Sequence, residues 1–308
     1  MSALRQSVDD YLQVRRVLGY KLTIHGRVLP QFVEFLEQRD ATAITTSLAL
    51  EFATQPQNTS IVWWHQRLAI VRGFARYLQA IDPRTEVPPV DLLPAKFRRA
   101  TPYLYSEADV EALMGAARKI RSALKAATYE TLIGLLAVTG MRIGEVIALD
   151  RGEVELPEGR LTVRHGKNGR SREVALHPST VTALEAYACL RDELCPHPKA
   201  PSFLVTNAST RLDYGTVWHE FDHIRRRAGL DRESLGRQVR MHDLRHVFVL
   251  RTLLGWYRED TDVEAQLPLL AAFLGHVDPS STYWYFEAAP QLLTLAAERL
   301  ERTWEQRS

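Results

Sequence analysis

Four prolines, Pro83, Pro88, Pro89 and Pro94, fall within twelve residues of one another, and no other feature limits the fold as strongly. Proline fixes φ and has no N–H to donate, so neither a helix nor a central strand runs through such a stretch. It reads as a stiff, extended connector. The chain has 308 residues, and at roughly 150 residues per domain that length suits two domains. The boundary is therefore expected just past the prolines: a domain over 1–95, a linker over 96–105, and a second domain over 106–308. Lys96, Arg98 and Arg99 stand in the linker.

The part before the prolines is patterned for helices. Val8, Leu12 and Leu18 sit among polar neighbours, and Val28, Leu29, Phe32, Val33, Phe35 and Leu36 recur at helical spacing. A shorter helix is expected after Thr45-Thr46-Ser47. A long one is expected from about Ser60 to Ile81, with Ile61, Trp64, Leu68, Val71, Phe74 and Leu78 as its apolar stripe. Four amphipathic helices with short connections predict a small bundle.

The pattern differs after the prolines. Ser106-Glu107-Ala108-Asp109 resembles a capping box opening a helix with Val110, Leu113 and Met114. Another helix runs to Thr139 and stops at Gly140, as helices commonly stop at glycine. Leu161 and Val163, then Val174 and Leu176, alternate with polar residues on either side of Asn168-Gly169, which predicts a β-hairpin. Helices are expected again over about 178–194, over 214–229, and from Met241 onward. The second domain is thus mainly α with a small sheet.

Composition excludes more than it selects. Hydrophobic residues make up 45% and charged residues 25%, ordinary for a soluble globular protein. The net charge of +2 does not by itself announce nucleic acid. Residues 1–100 carry 13 Lys and Arg against 9 Asp and Glu, a mild basic bias in the N-terminal part. The two cysteines, Cys189 and Cys195, are six apart in one expected helix and suit neither a zinc knuckle nor a disulfide. The start MSALRQSVDDYLQVRR lacks the apolar core of a secretory signal. No apolar run approaches the roughly 18–20 residues that span a bilayer. A cytoplasmic protein without a membrane is the expectation.

Four segments of the second part carry the chemistry-bearing side chains. They are Thr139-Gly140-Met141-Arg142-Ile143-Gly144-Glu145, Gly166-Lys167-Asn168-Gly169-Arg170, His242-Asp243-Leu244-Arg245-His246, and Leu274-Gly275-His276 followed by Thr282-Tyr283-Trp284-Tyr285. Arg142 follows a helix-ending glycine, and Arg245 lies three residues after His242 on one helix face. A guanidinium is a planar fork of donors that stays charged and grips phosphate oxygens in pairs. Two such forks suit both non-bridging oxygens of one phosphate and the charge of a pentacovalent transition state. Glu145, three residues on, is equally placed as an ordinary ion-pair partner of Arg142. Lys167 precedes a turn, where lysine is ordinarily solvated. His242 and His276 titrate near neutrality and suit proton transfer, and the competing reading of each is a satisfied structural histidine. His246 invites a zinc site with His242, but Asp243 stands where an H-E-x-x-H site requires Glu, so helix packing is its simpler role. Tyr283-Trp284-Tyr285-Phe286 is either a buried aromatic run or the site of a phenol nucleophile activated by cations.

In order and approximate spacing these segments resemble the motif set of the tyrosine recombinases, the phage-integrase type, over about residues 100–290. The N-terminal bundle resembles that family's core-binding domain only in kind. The resemblance implies a catalytic set of Arg142, Lys167, His242, Arg245, His276 and Tyr285. Tyr285, nine residues after His276, would be the nucleophile, with Tyr283 as its rival. Its attack on phosphorus would leave a 3′-phosphotyrosyl link and a free 5′ hydroxyl. The bond energy is retained, so the implied reaction needs no nucleotide, metal or other cofactor. Lys167 would protonate the departing 5′ oxygen, its pKa lowered by nearby arginines and desolvation. Arg170 and Arg172 would add phosphate contacts, with Lys96, Arg98 and Arg99 near the DNA backbone.

The implied fold is a two-domain clamp: a helical-bundle core-binding domain and a mainly α catalytic domain with a small antiparallel β-sheet. The implied partners are double-stranded DNA, further copies of the chain as a homo-oligomer (a tetramer on two sites), and accessory proteins or partner recombinases. Pro290 to Trp304 carries an apolar face of Leu292, Leu293, Leu295, Ala296, Leu300 and Trp304. It would either dock on a neighbouring protomer or complete its own core. Two rivals share much of this set: a type IB topoisomerase, and a DNA-binding protein that keeps the scaffold without catalysis.

Overall fold

A computed structural model of the chain describes residues 2–93, 102–164, 171–231, 235–236, 239–259 and 261–275. Lys96, Arg98, Arg99, Lys167, Arg170, His276, Tyr283, Tyr285 and the segment after Pro290 lie outside the described residues. The chain divides into two compact units, Met1–Ala100 and Thr101–Ser308.

The first unit contains α1 (Ala3–Val17), α2 (His25–Glu37), α3 (Thr46–Thr54) and α4 (Ile61–Gln79). Ser2, Thr45 and Ser60 cap α1, α3 and α4, each side-chain oxygen accepting from a backbone N–H three residues on. The core is built on Leu29, Phe32, Leu36, Phe52, Leu68 and Phe74, all nearly fully buried. Phe32 and Phe52 lie 4.9 Å apart between centroids. Leu18, expected inside, is 70% exposed. It caps the C-terminus of α1, and Gly19 behind it turns the chain away with φ +89°. Ile61 is also exposed, because the first turn of α4 projects past the core.

The proline-rich stretch is strapped onto this unit as far as it is described. Arg72 of α4 donates from Nε to the Pro88 carbonyl and from Nη2 to the Pro89 carbonyl, both at 2.7 Å. Extended proline segments make no internal hydrogen bonds, so these carbonyls need outside donors. Val87, Leu92 and Leu93 pack against the bundle core.

The second unit begins with α5 (Glu107–Arg118), opened by a capping box between Ser106 and Asp109. Next come α6 (Ala123–Thr139), α7 (Ile143–Ala148) and a 3₁₀ turn, Arg151–Glu153. Strands β1 (Val154–Glu155), β2 (Arg160–Val163) and β3 (Arg172–Ala175) form an antiparallel sheet in the order β1-β2-β3. Leu161 pairs with Val174 and Val163 with Arg172. The apolar residues face inward as the alternation predicts, but the pairing is offset by two residues from that of a two-residue Asn168-Gly169 turn, which would set Leu161 against Leu176 and Val163 against Val174. β1 was not anticipated, since two residues are too few to show a period. The described elements then continue with α8 (Pro178–Leu194), α9 (Tyr214–Arg227), α10 (Asp243–Arg258) and α11 (Val263–Leu274).

Helix α6 runs through the middle of this unit. Leu132, Ile133 and Leu136 join Leu113, Leu184, Phe203, Phe221 and Leu244 in one core. A satellite cluster of Val249, Leu253, Leu267, Leu270 and Leu274 joins α10 to α11. The fold class is the expected one, mainly helical with a small antiparallel sheet. Among the described residues no helix is long and apolar enough to cross a membrane.

Candidate active site

The site forms where the ends of α6 and α11 meet the starts of α7 and α10. Helix α6 stops at Gly140, which takes the left-handed conformation at φ +59°. A Cβ there would come within 2.5 Å of Phe248 Cδ1, so both the turn and the packing require glycine. Arg142 then caps the start of α7, and its backbone N–H donates to Glu145 Oε2 at 3.0 Å. Helix α11 ends in the same way at Gly275, φ +66°. The carbonyls at the ends of α6 and α11 lack helical partners and carry the negative end of the helix dipole. Arginines fill both ends.

Arg245, in the first turn of α10, is 2% exposed. It donates from Nη1 to the Gly140 carbonyl at 2.6 Å and from Nη2 to the Leu274 carbonyl at 2.8 Å. Arg142 reaches the same place from the other side. Its Nη1 donates to Leu274 O at 3.4 Å and its Nη2 to Gly275 O at 3.3 Å. Nη1 also pairs with Glu145 Oε1 at 2.9 Å. The ordinary ion-pair reading of Arg142 is therefore present, and so is its convergence with Arg245.

Glu145 is buried at 9% exposure and takes a second arginine. Arg172 of β3 lays its fork across the carboxylate, Nη1 to Oε1 at 3.1 Å and Nη2 to Oε2 at 2.8 Å. Its Nε donates to the Phe273 carbonyl at 2.7 Å. Burial pushes the Glu145 carboxyl up, but the hydrogen bonds and charges of Arg172 and Arg142 outweigh it and hold the group at about 2. Two guanidiniums, those of Arg142 and Arg172, thus share one carboxylate here.

His242 stands at the start of α10, accessible to solvent on one side. Partial desolvation and then the charges of Arg245, Arg142 and Arg240 lower its pKa below the usual histidine value. It lines a recess with Ile143, Trp218, Phe221 and Arg240. Its ring meets that of His246 edge-on, centroids 5.0 Å apart, which suits a packing role for His246. Of the residues expected in the site, the structure brings together Arg142, His242, Arg245 and Arg172. Glu145 as a shared anchor and the Leu274 carbonyl as a meeting point were not foreseen. A backbone acceptor carries no residue signature, whereas the Glu145 spacing did offer a signal.

Residues 104–291 match the model of the phage integrase family. The protein y4rB of Sinorhizobium fredii, named as an integrase/recombinase, is 42% identical over 314 residues, covering 100% of both chains. The XerD tyrosine recombinase of Pseudomonas putida is 30% identical over 230 residues, 72% of this chain and 70% of that one. Among solved structures, the Tn1549 transposon integrase in complex with transposon right end DNA superposes with a TM-score of 0.68 at 14% identity, covering 96% of this chain and 98% of that one. A lambda integrase tetramer bound to a Holliday junction gives 0.62 at 16% identity, covering 92% and 76%. The two arginines, the histidine before the second of them and the helix end they share all fall inside the matched span, and the chain belongs to the phage integrase family.

Proposed function

We propose that this chain is a site-specific DNA recombinase that cuts one strand with Tyr285 and rejoins it to a new partner. The observation that carries this reading is the convergence of Arg142 and Arg245 on the carbonyl of Leu274, with His242 beside them. Two forks fixed in advance at one point can take the non-bridging oxygens of a scissile phosphate without reorganising during the reaction. His242, lowered below the usual histidine value, is neutral at pH 7 and able to accept a proton or to position an oxygen. Leu274-Gly275 leads directly into His276 in the sequence, and Tyr285 follows nine residues later. We assign Tyr285 as nucleophile and Lys167 as the acid for the departing 5′ oxygen. His276 is assigned with His242 to oxygen positioning, and Arg170, Lys96, Arg98 and Arg99 to the DNA backbone.

The relatives support a finer reading. Integration, excision or transposition of a mobile element fits a chain alike over its whole length to a protein named as an integrase/recombinase. It also fits the fold of a transposon integrase in complex with transposon right end DNA. A working unit of several protomers on paired DNA sites follows from the lambda integrase tetramer on a Holliday junction. An enzyme acting on DNA in this way belongs in the cytoplasm.

The test is a nicked suicide duplex spanning the end of the element that encodes the chain. Wild type should form a covalent protein–DNA adduct, Tyr285→Phe should not, and Tyr283→Phe should. Loss with Tyr283→Phe alone would move the nucleophile by two residues. Relaxation of a plasmid that lacks the site would favour a topoisomerase, and specific binding with no adduct a non-catalytic scaffold.

A further inference from the structure

We infer that Arg172 is a positioning residue for strand cleavage, holding Glu145 away from full capture of Arg142. This rests on the recombinase reading above. Arg172 pairs opposite Val163 in the sheet and shares the inward strand face of Val174. Its side chain is only 12% exposed, and its fork is committed to protein acceptors: both oxygens of Glu145 and the carbonyl of Phe273.

The consequence for Arg142 is electrostatic. A buried carboxylate facing one guanidinium forms a two-bond pair that cancels the charge and fixes the plane of the fork. Here Arg172 occupies both oxygens, and the Arg142 side chain holds Glu145 through one bond, Nη1 to Oε1 at 2.9 Å. The trio keeps an excess of one positive charge, and Arg142 can turn towards Leu274 and Gly275. Without Arg172, Glu145 would close on Arg142 in the two-bond geometry, neutralising it and rotating it off that point.

The consequence for the template is mechanical. Arg172 holds the carbonyl of Phe273, while Arg142 and Arg245 hold the next one, of Leu274. Gly275 completes the fit. A Cβ there would lie 3.0 Å from Arg172 Nη1, so glycine lets the guanidinium lie against the helix end. The last turn of α11 is therefore clamped from β3.

The experiment follows covalent adduct formation by the full chain on the suicide duplex, made once with an ordinary phosphate and once with a neutral methylphosphonate at the scissile position. Arg172→Ala should slow cleavage of the phosphate by about 10²-fold, the scale of a misplaced catalytic group. Arg172→Lys should be slow as well, because a point charge cannot cover both carboxylate oxygens. Two readouts separate positioning from simple loss of fold. Adding Glu145→Gln to Arg172→Ala should recover about tenfold, the coupling expected of residues in contact. The preference for phosphate over methylphosphonate should also shrink in Arg172→Ala, because an impaired Arg142 no longer exploits the charge it would stabilise. Equal losses on both substrates with no relief by Glu145→Gln would overturn the inference, as would an unimpaired Arg172→Ala. Failure of the wild type to form any adduct would instead overturn the recombinase reading, and this inference with it.

Discussion

Arg142 and Arg245 donate to the same atom. The carbonyl oxygen of Leu274 accepts Nη1 of Arg142 at 3.4 Å and Nη2 of Arg245 at 2.8 Å. Two like charges are costly to bring together, and the negative end of α11 is what offsets their repulsion. The alignment is thus made during folding, before any substrate arrives, which is the condition for preorganised electrostatic catalysis.

The two arginines should separate when stability and rate are measured together. Arg245 is 2% exposed, so Arg245→Ala strands the Gly140 carbonyl, leaves the Leu274 carbonyl only its longer bond from Arg142, and should cost about 3 kcal/mol of stability. The Arg142 side chain is 25% exposed, and Glu145 keeps Arg172 when it is removed, so Arg142→Ala should cost about 1 kcal/mol. Both should slow adduct formation by about 10²–10³-fold. Urea unfolding beside the adduct assay checks this, and a larger stability loss for Arg142→Ala would contradict the geometry.

His242 gives a pH prediction with a definite sign. Its pKa in the folded chain lies below the usual value, which is about 6.5 for an unperturbed histidine. Its contribution to stability is then fully present above about pH 6.5 and is lost as the pH falls below that towards the folded value. The acidic limb of the adduct rate should accordingly lie below pH 6.5 and should disappear in His242→Gln. NMR titration of the imidazole is the direct measurement, and a midpoint above 6.5 would refute the assigned neutral state.

Much of this was legible in the sequence, for identifiable reasons. Ser106 and Asp109 announced α5, Gly140 announced the end of α6, and alternation around Leu161 and Val174 announced the hairpin, because caps, stops and period two are local properties. The four prolines were legible as a helix breaker, but their strapping by Arg72 was not, since a donor sixteen residues away leaves no local trace. Arg172 is the instructive case. The expectation of a phosphate contact treated it like the other basic residues of the hairpin, although the same alternation that turns Val174 inward turns Arg172 inward too. The Leu274 carbonyl was beyond reach, because its importance comes from where α11 stops relative to α6 and α10.

The two helix-ending glycines should fail differently when changed to alanine. At Gly140 the added Cβ meets Phe248 at 2.5 and 3.0 Å and Leu274 Cδ2 at 3.2 Å, so overpacking of about 1–3 kcal/mol adds to the left-handed strain of about 1–2. At Gly275 the close neighbour is the Arg172 guanidinium, which can shift, so the stability cost should be near the strain alone, about 1–2 kcal/mol. The displaced Arg172 should nonetheless make Gly275→Ala the worse catalyst at equal stability. Thermal melts paired with adduct rates test the ordering, and a larger melting shift for Gly275→Ala would refute it.

Glu145 should make the second unit sensitive to acid. Its carboxyl is held at about 2, against an ordinary value of 4.5. A depressed carboxyl contributes stability that is present above the unfolded value and is lost as the pH falls from about 4.5 towards 2. The cause is specific, since protonation removes the acceptor that Arg142 and Arg172 share and leaves two half-buried guanidiniums facing each other. Glu145→Gln mimics the protonated state at every pH. It should therefore lower stability at pH 7 by about 3 kcal/mol, the scale of breaking a buried pair, and should lose most of that deficit relative to wild type by pH 2. Urea unfolding of both proteins across this range reads the difference directly. A deficit that stayed constant from pH 7 to pH 2 would mean that the carboxylate charge is not what holds the two arginines together.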